Sequence, residues 1–140
     1  MRTVCSLLIT CFLALTLSAQ EGHEIVVELE GYDHDTLFLG YYMGDKQYLR
    51  DTTVAGPDGA FTFAGEEPLP GGMYLVVLQP DNNYFQLLIT DQDQRFSVQT
   101  AAADPINSLQ VEGSADNALF YDYLQYINAK RPEAEQLTQQ

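Results

Sequence analysis

From residue 24 to about residue 112, apolar and polar positions alternate with a period of two, and turn residues separate the runs. Glu24 to Glu30 places Ile25, Val27 and Leu29 on one face, with Glu24, Val26, Glu28 and Glu30 on the other, so it predicts a half-buried strand. Thr36–Met43 follows, with Leu37, Leu39 and Tyr41 opposite Phe38 and Tyr42. Tyr48–Val54 comes after a Gly44-Asp45 turn. Gly56-Pro57-Asp58-Gly59 is a hairpin signal, because Asp-Gly accepts the positive φ of a tight turn, and Ala60–Ala64 then alternates cleanly. Pro68-Leu69-Pro70-Gly71-Gly72 interrupts the chain before Met73–Leu78, a continuous apolar run that predicts a central strand covered on both faces. Tyr84–Thr90, Arg95–Thr100 (Phe96 and Val98 inward) and a short strand at Leu109 and Val111 complete the series. About eight short strands at this spacing predict a mainly β fold, an antiparallel β-sandwich or open barrel.

The period then changes to that of a helix. Ser114 fits an N-cap, and Asp116 in the first turn suits the helix dipole. Phe120, Tyr123, Leu124 and Ile127 stand at i, i+3, i+4 and i+7, which predicts a stripe docking on the sheet from about Ala115 to Asn128. Arg131-Pro132 predicts a break, with Pro132 opening a second helix, Glu133–Gln140, that has only Ala134 and Leu137 to bury. The segment reads as the start of a spacer toward a downstream domain.

The N-terminus has a different pattern. Arg2 precedes a mostly apolar run from Val4 to Leu17, and Ser18-Ala19 offer small residues for cleavage before Gln20, the layout of an export signal. The run is shorter than the roughly 20 residues a bilayer span needs. Leu8-Ile9-Thr10-Cys11 faintly resembles a lipoprotein box, but Thr10 is a poor residue before an acylated cysteine. The expected division is therefore a signal peptide at 1–19, a β-sandwich-type domain at 20–113 and a helical extension at 114–140. The expected destination is the periplasm or cell envelope, with no stable membrane span.

Composition narrows the chemistry. The two cysteines, Cys5 and Cys11, both lie in the signal, so the exported chain has no thiol for a disulfide, a CxxC redox pair or thiolate metal binding. The formal net charge is −14, and cleavage after Ala19 makes it −15 on 121 residues, which disfavours nucleic acid as a partner. Asp33-His34-Asp35 is the best metal-like cluster, but zinc needs three or four converging ligands and no second cluster supplies them. A polar hairpin tip between the first two strands explains it, and His23 is expected to be solvated near a frayed terminus. Asp81-Asn82-Asn83 and Asp91-Gln92-Asp93 lack the ligand spacing of a calcium loop and read as turns. Acid pairs such as Asp91 and Asp93 make a weak case for a small hydrolase, which would need a carboxylate-lined cleft. There is no GxSxG elbow and no phosphate loop. No catalytic, cofactor-binding or metal residue is assigned, and the expectation is a domain that is not an enzyme and holds no cofactor. Tyr41, Tyr42, Tyr48, Tyr74 and Tyr84 in strands and Tyr121, Tyr123 and Tyr126 on the helix are expected to be mainly packing residues. Exposed, they would form a binding surface for a glycan or a protein.

Several phrases together carry a family resemblance. They are Thr36-Leu37-Phe38-Leu39-Gly40, Asp51-Thr52, Asp58-Gly59-Ala60-Phe61-Thr62-Phe63, Pro70-Gly71-Gly72-Met73-Tyr74-Leu75, Arg95-Phe96-Ser97-Val98, and Val111-Glu112-Gly113-Ser114 with Asn117. The chain resembles, over roughly residues 23 to 125, the N-terminal β-rich domain of unknown function number 4369 of exported Bacteroidetes-type proteins. The resemblance implies an accessory role beside a thioredoxin-like or peroxiredoxin-like domain, sometimes across a helical spacer. The shared phrases are strands and turns, so they transfer no functional residue. The resemblance thus implies a non-catalytic accessory domain of an exported thiol–disulfide oxidoreductase. The alternative is a stand-alone envelope module that binds a glycan or protein partner.

Overall fold

The computed structural model describes residues 22–138. The expected signal peptide at 1–19, with Cys5 and Cys11, lies outside the described residues. The elements are β1 (His23–Glu30), β2 (Thr36–Met43), β3 (Lys46–Val54), β4 (Phe61–Gly65), β5 (Gly72–Leu78), β6 (Asn83–Ile89), β7 (Arg95–Ala101), β8 (Gln110–Glu112) and α1 (Ala115–Thr138). They form two four-stranded sheets, ordered β4-β1-β7-β8 and β3-β2-β5-β6, with a single helix after them. The mainly β fold ending in a helix is the one the periodicity predicts.

Alternation places the core between the sheets. Ile25, Val27, Phe61, Phe63, Phe96 and Val98 come from one, and Leu37, Leu39, Tyr74, Val76, Leu78, Phe85, Leu87 and Ile89 from the other. Each is buried because side chains two apart share a face of the pleat. In β5, Leu75 is also buried on the opposite face, so this central strand is covered on both sides, as its unbroken apolar run predicts.

Pairing departs from the expectation at one place. β1 and β7 run parallel, with Ile25 opposite Phe96 and Val27 opposite Val98. A period of two records which face a residue occupies, and it is blind to strand direction. The Asp33-His34-Asp35 segment is likewise no hairpin tip, because β1 and β2 belong to different sheets and the loop crosses between them. The Gly56–Gly59 turn is present, with Gly59 at φ 82° and the Ala60 N–H donating to the Asp58 carboxylate at 3.1 Å. It links β3 to β4 and so joins the two sheets at one edge, where Ala55 bridges Phe61 and the Thr53 hydroxyl donates to the Thr62 carbonyl at 2.8 Å.

The opposite edge is closed by α1. Ser114 caps the helix as predicted: its Oγ accepts from the Asn117 N–H at 3.2 Å and donates to the Asp93 carboxylate at 2.5 Å. Two features of the helix differ from the sequence reading. It runs unbroken through Pro132 to Thr138. Proline removes only the bond to the Asn128 carbonyl, and residues 129–138 are exposed, so solvent can take up the freed carbonyl. The predicted docking stripe of Phe120, Tyr123, Leu124 and Ile127 is also only half realised, since Phe120 and Leu124 pack against the core and Tyr123 and Ile127 do not. The side against the sandwich carries Asn117, Phe120, Tyr121, Leu124 and Gln125, while Tyr123 and Ile127 face away. The reason is that α1 meets a strand edge with unpaired backbone groups, so polar tips suit the contact better than an all-apolar stripe.

Candidate functional site

The residues raised by the sequence for metal or acid chemistry do not come together. Among the described residues, no three His, Cys, Asp or Glu side chains are placed to hold a metal ion. His34 is exposed and leans on Tyr32, with ring centroids 5.5 Å apart. His23 is not solvated: it is buried over Gly65, and its Nδ1–H donates to the Glu67 carbonyl at 2.7 Å. Asp93 is engaged at the start of α1, where it accepts from the Ser114 hydroxyl and, at 3.4 Å, from the Asp116 N–H. Asp91 is exposed, as are Asp81, Asn82 and Asn83 in their turn.

The tyrosines divide in a way the sequence does not foretell. Tyr74 and Tyr121 are core residues, and Tyr32 and Tyr41 pack partly against the core. Tyr42, Tyr48, Tyr84, Tyr123 and Tyr126 are exposed. Packing therefore accounts for only some of them.

Tyr41, Tyr42 and Tyr74 meet at the rim of the second sheet, around an irregularity in β3. Leu39 faces Asp51 while Gly40 faces Leu49, so Arg50 is an extra residue between two normal pairs, a β-bulge. Gly40 makes this possible, because a Cβ there would stand only 3.2 Å from the Tyr48 carbonyl oxygen. The bulge turns Arg50 into a cleft of about 290 Å³ that it lines with Tyr41, Tyr42, Met73, Tyr74 and the Pro70–Gly72 backbone. Tyr41 is backed by Tyr48, with the rings stacked at 5.7 Å and 29°, and its centroid is 6.2 Å from that of Tyr74. Tyr74 donates to the Pro70 carbonyl at 2.8 Å. Burial raises its phenol above the ordinary value, with the Arg50 charge opposing the rise.

The far wall of the cleft is held from inside. Buried Gln94 accepts from the Leu69 N–H at 2.8 Å and donates to the carbonyls of Leu69 and Thr90 at 3.0 and 2.8 Å. This clamp ties the Pro68–Pro70 segment to the turn before β7. The wall is therefore fixed by a satisfied polar network.

A second surface lies on α1. Leu119, Tyr123, Tyr126 and Ile127, at i, i+4, i+7 and i+8, form an apolar stripe on the side turned away from the sandwich, and Leu119 is 71% exposed. The four apolar side chains cover no part of the β core. Tyr123 and Ile127 belong to the stripe that sequence periodicity assigned to docking, of which only Phe120 and Leu124 meet the core.

These features define a small β-rich domain completed by a helix, with one polar-aromatic cleft at a bulged rim and one apolar helical stripe. The chain belongs to the family described as a domain of unknown function, DUF4369, whose sequence profile matches residues 23–120. No curated protein and no solved structure matches it. Among the described residues, no helix is long and apolar enough to cross a membrane.

Proposed function

We propose that the chain is a non-catalytic accessory domain of an exported thiol–disulfide oxidoreductase, serving to hold a thioredoxin-like domain in position. The observation that carries this reading is the apolar stripe Leu119, Tyr123, Tyr126 and Ile127, which stands on a helix fixed to the sandwich by its other side. A rigidly mounted stripe transmits position to whatever packs against it. Beyond Cys11 the chain has no cysteine, so thiolate chemistry in such an assembly belongs to the partner. Arg2, the apolar run to Leu17 and Ser18-Ala19 support export to the periplasm or envelope. A photo-crosslinker at position 123, used in cells, tests the proposal: adducts should map to a CxxC-bearing domain, and adducts confined to proteins without one would overturn it.

A second reading, a module that binds a glycan or protein in the envelope, is favoured by a different observation. The Arg50 cleft presents exposed Tyr42 beside Arg50, which a bulge sets at the rim.

A further inference from the structure

We propose that the cleft at Arg50 binds a saccharide carrying a carboxylate, a uronic acid residue, with the guanidinium on the carboxylate and the sugar ring against exposed Tyr42. The inference rests on the binding-module reading and names its ligand class.

Charge is the first argument. The chain has 20 acidic and 6 basic residues, so an exposed cation set in a concave site is a local exception. Among the described residues the only ion pair is Lys130–Glu133 at 3.1 Å, and Arg50 has no acidic partner. Arg95, by contrast, is half buried in β7. A guanidinium is planar and presents paired N–H groups that match a carboxylate in a two-point contact. One such group suits a single carboxylate. A polyphosphate would meet one favourable charge and the repulsion of the acidic remainder.

Shape is the second argument. The cleft, about 290 Å³, is near the lower end of ligand-pocket sizes of roughly 300–1,000 Å³, a volume for one or two sugar rings. Its walls are tyrosines, the Pro70–Gly72 segment and the methionines Met43 and Met73. The flat C–H face of a pyranose lies on an aromatic ring, and its hydroxyls bond to tyrosine hydroxyls and peptide groups. Tyr41 is braced by Tyr48 and by Tyr74, and the opposite wall is clamped through Gln94. These two walls are therefore formed before any ligand arrives, which lowers the ordering cost of binding.

The edge strand argues against an extended peptide as occupant. Adding a strand to β3 requires a regular ladder, and β3 carries the bulge at Arg50 and starts with Lys46, both devices that blunt sheet edges.

Calorimetric titration of the protein with trigalacturonic acid, its methyl ester and triglutamate separates the possibilities. The acid should bind saturably. Arg50→Gln and esterification should each weaken binding about 10-fold, the loss of a charge-assisted contact. Tyr42→Ala should weaken both the acid and the ester. Both side chains are exposed, so circular dichroism should show an unchanged fold. Equal binding of acid and ester would remove the carboxylate claim and leave the binding module standing. Saturation by triglutamate with equal dependence on Arg50 and Tyr42 would overturn the saccharide in favour of a protein partner. No saturable binding of any of the three up to about 10 mM, far weaker than a functional site requires, would overturn both the ligand class and the use of this cleft.

Discussion

The two free edges of the second sheet, β6 and β3, face the same physical problem and solve it differently. An edge strand exposes unpaired N–H and C=O groups that must find partners or be shielded. At β6 they are taken up by side chains of α1. Asn117 is fully buried; its Oδ1 accepts from the Leu88 N–H at 2.8 Å and its Nδ2 donates to the Leu88 carbonyl at 2.7 Å, so one amide imitates a neighbouring strand. Tyr121 donates to the Gln86 carbonyl at 2.6 Å one turn further on. At β3 the Lys46–Arg50 stretch is exposed among the described residues, and the bulge itself disrupts the edge. The comparison teaches that the sealed edge is part of stability, whereas the blunted edge is free to present a cleft. Among the tyrosines, Tyr121 is buried where α1 seals β6 and Tyr48 stands exposed on β3, while Tyr84, nearer the start of β6, is exposed as well.

If that contrast holds, substitutions at β6 should cost folding free energy, and those at β3 or on the outer side of α1 should cost recognition instead. Asn117→Leu should have the largest effect. It keeps the size but leaves the Leu88 N–H and C=O unpaired in a buried place, so urea denaturation should show a loss of about 2–4 kcal/mol. A loss below about 0.5 kcal/mol would mean that solvent reaches this edge and that the seal is not structural.

Tyr121→Phe should cost about 1 kcal/mol at neutral pH, the net worth of one hydrogen bond. It should also change the alkaline limb of the stability curve. Burial raises the Tyr121 phenol well above its ordinary value, with the Gln86 hydrogen bond opposing it. The folded state therefore holds its proton more tightly than the unfolded chain. That contribution is complete below about pH 10, where unfolded tyrosine titrates, and it falls as pH rises, by up to about 1.4 kcal/mol per unit. The variant should lose most of this slope, leaving the smaller shares from Tyr74 and Tyr84, whose phenols are also raised. An unchanged alkaline slope would count against the buried placement of Tyr121.

Gly40→Ala should cost less, about 1 kcal/mol, because the added Cβ meets the Tyr48 carbonyl at 3.2 Å and a small shift relieves it. Its sharper consequence is at Arg50, whose orientation depends on the bulge. Backbone chemical shifts should change from Leu49 to Asp51 and stay fixed at Leu88. Leu119→Ser with Tyr123→Ser should be the mildest for folding, within about 0.5 kcal/mol, since both side chains are exposed. A larger loss would show that the stripe already has a partner within the chain.

The strands were legible because alternation is a local consequence of having one face in a core. Ile25, Val27, Phe61, Phe63, Phe96 and Val98 all point where their spacing predicts. The cap at Ser114 was equally local, since it depends on a hydroxyl three residues from the N–H it accepts. The side of α1 that docks was not legible. Periodicity ranks apolar positions, yet the docked side is chosen by bonds to Leu88 and Gln86, which lie 29 and 35 residues earlier in the chain. His23 escaped for a similar reason: its partner, the Glu67 carbonyl, is 44 residues away.

The candidate cleft shows the same limit. Gly40, Arg50 and Tyr74 are ordinary strand residues in the sequence, and the best signal available was the unusual number of tyrosines, nine in 140 residues. A bulge is a mismatch between two strands, so neither strand alone reveals it. By itself the sequence determined that the chain builds eight strands and a helix around an apolar interior, carries strong negative charge and has no thiol beyond Cys11, because composition, spacing and capping act over a few residues. Only the tertiary structure decided that β1 and β7 run parallel, that Asn117 and Tyr121 seal one edge, and that Arg50 turns into an aromatic cleft at the other. Those outcomes depend on which strand edges meet, and that is settled by the joint packing of two sheets and a helix.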